Sequence, residues 1–190
     1  FRGKYEPTLI KGRGDEDMAI TKLLNRIKGI LLTPGNEWSV IAGETTTVSD
    51  LYKNYIVILA AIPAIFGFLK GSLIGFDVPL LGSYRVGVGA GLAGMIIAYV
   101  MSLVQVYLVA FVVDALASTF GAQKNLLQAL KTVAYAFTAS WVASIGQIVP
   151  WLAPLIVFAG GAYSIYLLYL GLPRTMGCPP ERAVAYTAVS

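Results

Sequence analysis

Apolar positions along this chain gather into long unbroken runs, and the longest of them sets the class of protein. Val86 to Val113 is 28 residues without a charge. A bilayer core about 30 Å thick is crossed by roughly 20 helical residues. The run therefore predicts a transmembrane helix with length left for tilt. Its small and polar residues, Gly87, Gly91, Gly94, Ala98, Ser102 and Gln105, follow one another at spacings of 4, 3, 4, 4 and 3. That is one helical stripe. In lipid, small residues let backbones approach and a Gln amide needs a partner, so the stripe predicts the central packing helix of a bundle.

The same pattern predicts spans over about 51–74, 86–118, 126–146 and 148–170, with a truncated fifth starting near 183. Ser49 or Asp50 is expected to cap the first span, and Pro63 inside it removes a backbone donor and predicts a kink. Ahead of the spans, Ile20, Leu23, Leu24, Ile27 and Leu31 share one helical face, with Lys22, Asn25, Arg26 and Lys28 on the other. This basic amphipathic helix suits either the headgroup region or a site on the protein's own spans. After Thr33-Pro34-Gly35-Asn36, a second short helix over 37–44 brings Trp38 and Ile41 to one side; Trp favours membrane interfaces. The expected organisation is a polar leader or tag (1–17), cytosolic interfacial helices (18–50) and a membrane domain (51–190). The fold class is an all-α polytopic transmembrane helical bundle: four complete spans, the start of a fifth, and an N-terminal cytosolic amphipathic helix.

Composition agrees, with 57% hydrophobic and 13% charged residues among 190; a soluble domain carries about 25% charged. The distribution of charge says more than the net +4. Counted from Met18, Lys22, Arg26, Lys28, Lys53, Lys124, Lys131, Arg174 and Arg182 fall on one side of the predicted spans, and only Lys70 and Arg85 on the other. The positive-inside rule then puts the N-terminus and the loops at 119–125 and 171–182 in the cytosol, and predicts a multi-pass protein of the cytoplasmic membrane.

Candidate chemistry is sparse. The chain has no histidine and one cysteine, Cys178, which removes imidazole bases, Ser-His and Cys-His pairs and multi-cysteine metal sites. No catalytic, cofactor or metal residues are expected, and without a basic stripe no nucleic-acid partner either. Gly89, Gly91 and Gly94 match GxGxxG with Asp114 twenty residues on, but no strand precedes them, so helix packing explains them better. Asp114 is the one carboxylate inside a predicted span, and Lys131 lies at a similar depth across a short loop. Because a lone charge there is costly, either an intramembrane Asp114–Lys131 ion pair is expected or Asp114 reaches the headgroups. Ala136, Ser140, Ser144 and Gln147 in the third span, and Gly160 and Ser164 in the fourth, predict hydrogen bonding between helices.

The order of an amphipathic helix, TPGNEW, Glu44, SDLYKNY at the first span and the loop PRTMGCPPERAVAYTAV resembles prokaryotic members of the Yip family. The resemblance implies a five-span membrane protein whose eukaryotic relatives bind prenylated Rab GTPases. It also implies that Glu37, Glu44 and Asp50 stand where those relatives carry an acidic stretch. The functional expectation is a non-enzymatic membrane organiser or adaptor. Its candidate partner surface is Lys22, Arg26, Lys28, Glu37, Trp38, Ile41, Glu44 and Asp50, facing the lipid bilayer, a cytosolic protein (a small GTPase by family analogy) or a second copy. The alternative is a small oligomeric transporter or channel with a polar pathway near Gln105, Asp114, Ser140 and Ser144.

Overall fold

The computed structural model describes residues 8–78 and 82–190. Helix α1 runs Thr8–Leu32, and α2 runs Pro34–Gly43 with Pro34 in its first turn, where a missing N–H costs nothing. Residues 8–17, part of the expected polar leader or tag, have helical backbone continuous with the amphipathic segment. Among the described residues, three helices are long and apolar enough to cross a membrane: α3 (Val48–Ile74), α4 (Val88–Phe120) and α6 (Ala153–Thr175). Between the last two lies α5 (Leu126–Ala143), extended by a 3₁₀ turn over Ser144–Ile148. A short α7 (Pro180–Val189) begins a little earlier than expected. The loop ahead of α4 is a two-stranded antiparallel hairpin, β1 (Phe76–Val78) and β2 (Gly82–Tyr84), in the register Phe76↔Tyr84 and Val78↔Gly82.

Thr47, rather than Ser49 or Asp50, caps α3. Its hydroxyl accepts the Asp50 N–H at 3.1 Å and donates to Asp50 Oδ2 at 2.7 Å, a reciprocal N-terminal cap. Pro63 sits inside the helical stretch Val57–Phe68, while the departures from α geometry in α3 are π turns at Tyr52–Ile56 and Leu69–Ile74. The first π turn has a consequence for packing. It directs Tyr52 to the Leu103 carbonyl of α4 at 3.0 Å and Tyr55 to Thr138 of α5 at 2.7 Å.

The centre of the bundle is α5, not α4. From Ala129 to Trp141 nearly every residue of α5 is buried, and α5 touches α1, α3, α4 and α6. In α4 only Val106, Ala110 and Val113 are buried within the helix proper. The reason is physical. Burial in protein spares α5 the need for apolar surface, so it tolerates Gln128, Lys131, Thr132, Thr138 and Ser140, whereas α4 shows lipid-compatible side chains along most of its length.

Helices α5 and α6 pack antiparallel at close range. A Cβ on Gly160 would lie 2.2 Å from Ala143 Cβ, and one on Gly171 would lie 2.9 Å from Trp38 and Thr132. Ser140 and Ser164 share a 2.7 Å hydrogen bond, and Thr132 bonds Thr175. These are the interhelical bonds expected of that polar face.

Two ends result. At one, α1 and α2 lie over the ends of α5 and α6; the 121–125 turn between α4 and α5 is at this end too, and its Gln123 N–H donates to Met176 O at 2.8 Å. At the other end, Lys70, Phe76, Gln147 and Trp151 border a common cleft between the hairpin and the turn before α6.

Candidate functional site

At the N-terminal end, one cation of α1 organises its neighbours. Arg26 donates from one guanidinium nitrogen to Glu37 of α2 and from the other to Glu44 just beyond it. Gly29 makes the first contact possible: a Cβ there would sit 2.5 Å from the Glu37 carboxyl. Behind the guanidinium, the Tyr135 ring lies with its centroid 5.4 Å away, within cation–π range. Tyr55 and Trp38 meet Tyr135 edge-on at centroid separations of 4.6 and 6.5 Å. Burial by itself pulls the Arg26 pKa down, but Tyr135, Glu44 and Glu37 outweigh it and raise the value, so this arginine is permanently charged.

Lys131 completes the arrangement. Its side chain is 2% exposed, and its ammonium donates to the carbonyls of Ile41, at 3.1 Å, and Glu44. Those oxygens belong to the C-terminal end of α2, where unsatisfied carbonyls and the helix dipole favour a cation. The expected Asp114–Lys131 ion pair is therefore not formed. Asp114 lies near α7, with Oδ1 buried and unpartnered among the described residues, while Lys131 caps α2 instead. Backbone carbonyls satisfy the buried ammonium in place of a carboxylate.

Of the expected partner surface, Trp38 and Ile41 are fully buried against α5 and α6, because the face of α2 that carries them turns inward. Arg26 and Glu37 are half-buried in the cluster; Lys22, Lys28, Glu44 and Asp50 are exposed. Among the small-residue stripe, Gly91 packs on Phe68 and Ser72, and Ser102 is half-buried. Gly87, Gly94, Ala98 and Gln105 are exposed, so the stripe does not hold this chain's helices together as a unit. Ser144 donates to its own helix at Trp141 O, 2.6 Å.

Several determinants carried no expectation. Arg174 of α6 donates at 2.8 Å to Gly35 O and to Ser39, and Tyr163 donates to Leu31 O at 2.8 Å, so α6 holds both sides of the α1–α2 turn. Tyr55, Tyr135 and Thr138 form the floor of the cluster. A hint for Tyr135 lies in its place between two alanines on a small-residue helix, where one large side chain must fill a matching space.

Between α1 and α3 the cluster faces a cleft of about 850 Å³. Arg26, Glu37 and Glu44 form one wall and Tyr55 and Tyr135 the base. Lys22, Asp50 and Asn54 line its polar part, with Leu23 and Ile58 continuing into apolar surface. Among the described residues no group of His, Cys, Asp and Glu is arranged to hold a metal.

Long apolar helices, a polar helix sheathed by them and a charged cap at one end define a polytopic helical membrane protein. The chain belongs to the Yip1 domain family, which it matches over residues 28–190. It is similar to inner membrane protein YohC of Escherichia coli strain K12, 25% identical over 167 residues, covering 87% of this chain and 86% of that protein. The protein of the same name in strain O6:H1 shows the same identity and coverage. No solved structure matches the chain.

Proposed function

We propose that this protein is a non-enzymatic membrane organiser that receives protein or lipid partners at its N-terminal end, with that end in the cytosol. The observation that carries this reading is the charged cap. Helix α1 is fastened to the bundle through Arg26, yet it leaves Lys22 and Lys28 exposed beside exposed Met18, Ile20 and Leu24. A basic, amphipathic helix of this kind suits the interface between an anionic leaflet and the cytosol. The orientation follows from charge: Lys22, Arg26, Lys28, Lys131 and Arg174 cluster at the α1–α2 end, whereas Lys70 and Arg85 lie near the hairpin. The similarity to an inner membrane protein supports a cytoplasmic membrane location.

A transport pathway draws less support. Gln105 faces outward from α4, Ser140 is engaged by Ser164, and Ser144 by Trp141 O. Photo-crosslinkers at Ile20, Leu24 and Lys28 in native membranes, followed by mass spectrometry, test the organiser reading. Recurring adducts to one foreign protein or to lipid are expected. Self-crosslinks alone, together with solute flux in liposomes abolished by Gln105 and Asp114 variants, would replace it with the transporter.

A further inference from the structure

The charges around the α1–α3 cleft divide into two sets. Arg26 is committed to Glu37 and Glu44, and Lys131 to the carbonyls at the end of α2. The formal charges of Arg26, Lys131, Glu37 and Glu44 sum to zero, with the Lys131 ammonium close enough to feel the Glu44 carboxylate. What remains on the cleft lining is one charge of each sign, Lys22 and Asp50, both exposed and neither in an ion pair among the described residues. Asp50 Oδ2 is engaged by Thr47, which leaves Oδ1 to accept from a ligand.

The apolar side of the cleft points to the rest of the ligand. Ile58, on its lining, is 47% exposed, and Ile65 two turns further along α3 is also exposed. Ile20 of α1 lines the cleft as well and is exposed. A groove that begins at one charge of each sign and continues onto the outer apolar face of a span has the polarity profile of a phospholipid.

We infer that the α1–α3 cleft binds a zwitterionic phospholipid with a primary ammonium headgroup, its phosphate on Lys22 and its ammonium on Asp50. The inference rests on the organiser reading and names its lipid partner. The internally neutralised Arg26 cluster argues against an anionic headgroup, because no second unpaired cation lines the cleft among the described residues. A quaternary ammonium lacks the N–H that Asp50 would accept, so choline lipids bind more weakly.

The test uses the purified full chain in detergent with an equimolar mixture of phosphatidylethanolamine, phosphatidylglycerol and phosphatidylcholine. Retained lipid is read by native mass spectrometry. Ethanolamine lipid is expected to be retained about tenfold over the other two, the factor associated with one charge-assisted hydrogen bond. Asp50→Asn, which keeps an acceptor for Thr47, and Lys22→Gln should each remove the preference. Lys70→Gln at the opposite end should leave it intact, and unchanged thermal melting of all three shows that folding is not the cause. Equal retention of the three lipids, preference for the glycerol lipid, or variants that bind like the parent would overturn the inference. If it fails while crosslinks to a foreign protein or to another lipid persist, the ethanolamine-lipid assignment alone falls; if both kinds of adduct are also missing, the organiser reading falls with it.

Discussion

Replacing Lys131 with methionine isolates what holds the N-terminal cap to the bundle. The side chain keeps its length and its burial but loses both donations to the end of α2, at Ile41 O and Glu44 O. Hydrogen bonds from a charged donor contribute about 1.5–3 kcal/mol each. Against that, removing a buried ammonium recovers its desolvation cost, several kcal/mol per ion. Ile41 O also keeps a 3.3 Å bond from Glu44 N–H. The net loss is therefore set at about 2 kcal/mol, which corresponds to roughly a 30-fold rise in local opening. Hydrogen–deuterium exchange of the full chain in detergent reads this directly: amides of 38–44 should lose protection by about that factor, while those of α6 do not change. Asp114→Asn should leave 38–44 untouched. Unchanged protection in Lys131→Met, or an equal loss in Asp114→Asn, would refute the assignment of Lys131 to the cap.

Two further outcomes are expected. Gly160→Ala drives a methyl into Ala143 across the α5–α6 contact, whereas a Cβ on Gly161 would meet nothing within 4 Å; detergent melting should fall for Gly160→Ala, an overpacking cost of about 1–3 kcal/mol, and stay at the parent value for Gly161→Ala. Cys178 is buried, and that burial raises its thiol above the ordinary 9.0. Since the thiolate is the reactive form, its population at pH 8 is lower folded than unfolded, and maleimide should label the denatured chain at least about tenfold faster; equal rates would contradict the buried placement.

The membrane class was legible because it rests on run length and on the absence of charge, which do not depend on which neighbour a helix finds. The centre of the bundle was not legible. Hydrophobicity marks the surface a helix shows to lipid as readily as the surface it buries, so the most apolar helix, α4, proved peripheral and the more polar α5 central. The amphipathic period of Ile20, Leu23 and Ile27 is clear, and docking on the protein's own helices is one of its two readings. Trp38 misled because an interfacial Trp and a buried one carry the same local pattern; what distinguishes them is Gly171, a small residue 133 positions away that makes room for the ring. Lys131 misled for a related reason. Its partners are main-chain oxygens at the end of another helix, and a carbonyl leaves no mark in a sequence.

The neutrality of the Arg26 cluster has an electrical meaning. A transmembrane voltage exerts about 2.3 kcal/mol per elementary charge per 100 mV on any net charge that moves through it. Arg26 and Lys131 move with Glu37 and Glu44 or not at all, and their formal charges sum to zero. This four-residue cluster thus offers the voltage no net charge to act on, and energising or discharging the membrane can pull on α1 only through charges outside it, such as the exposed Lys22 and Lys28.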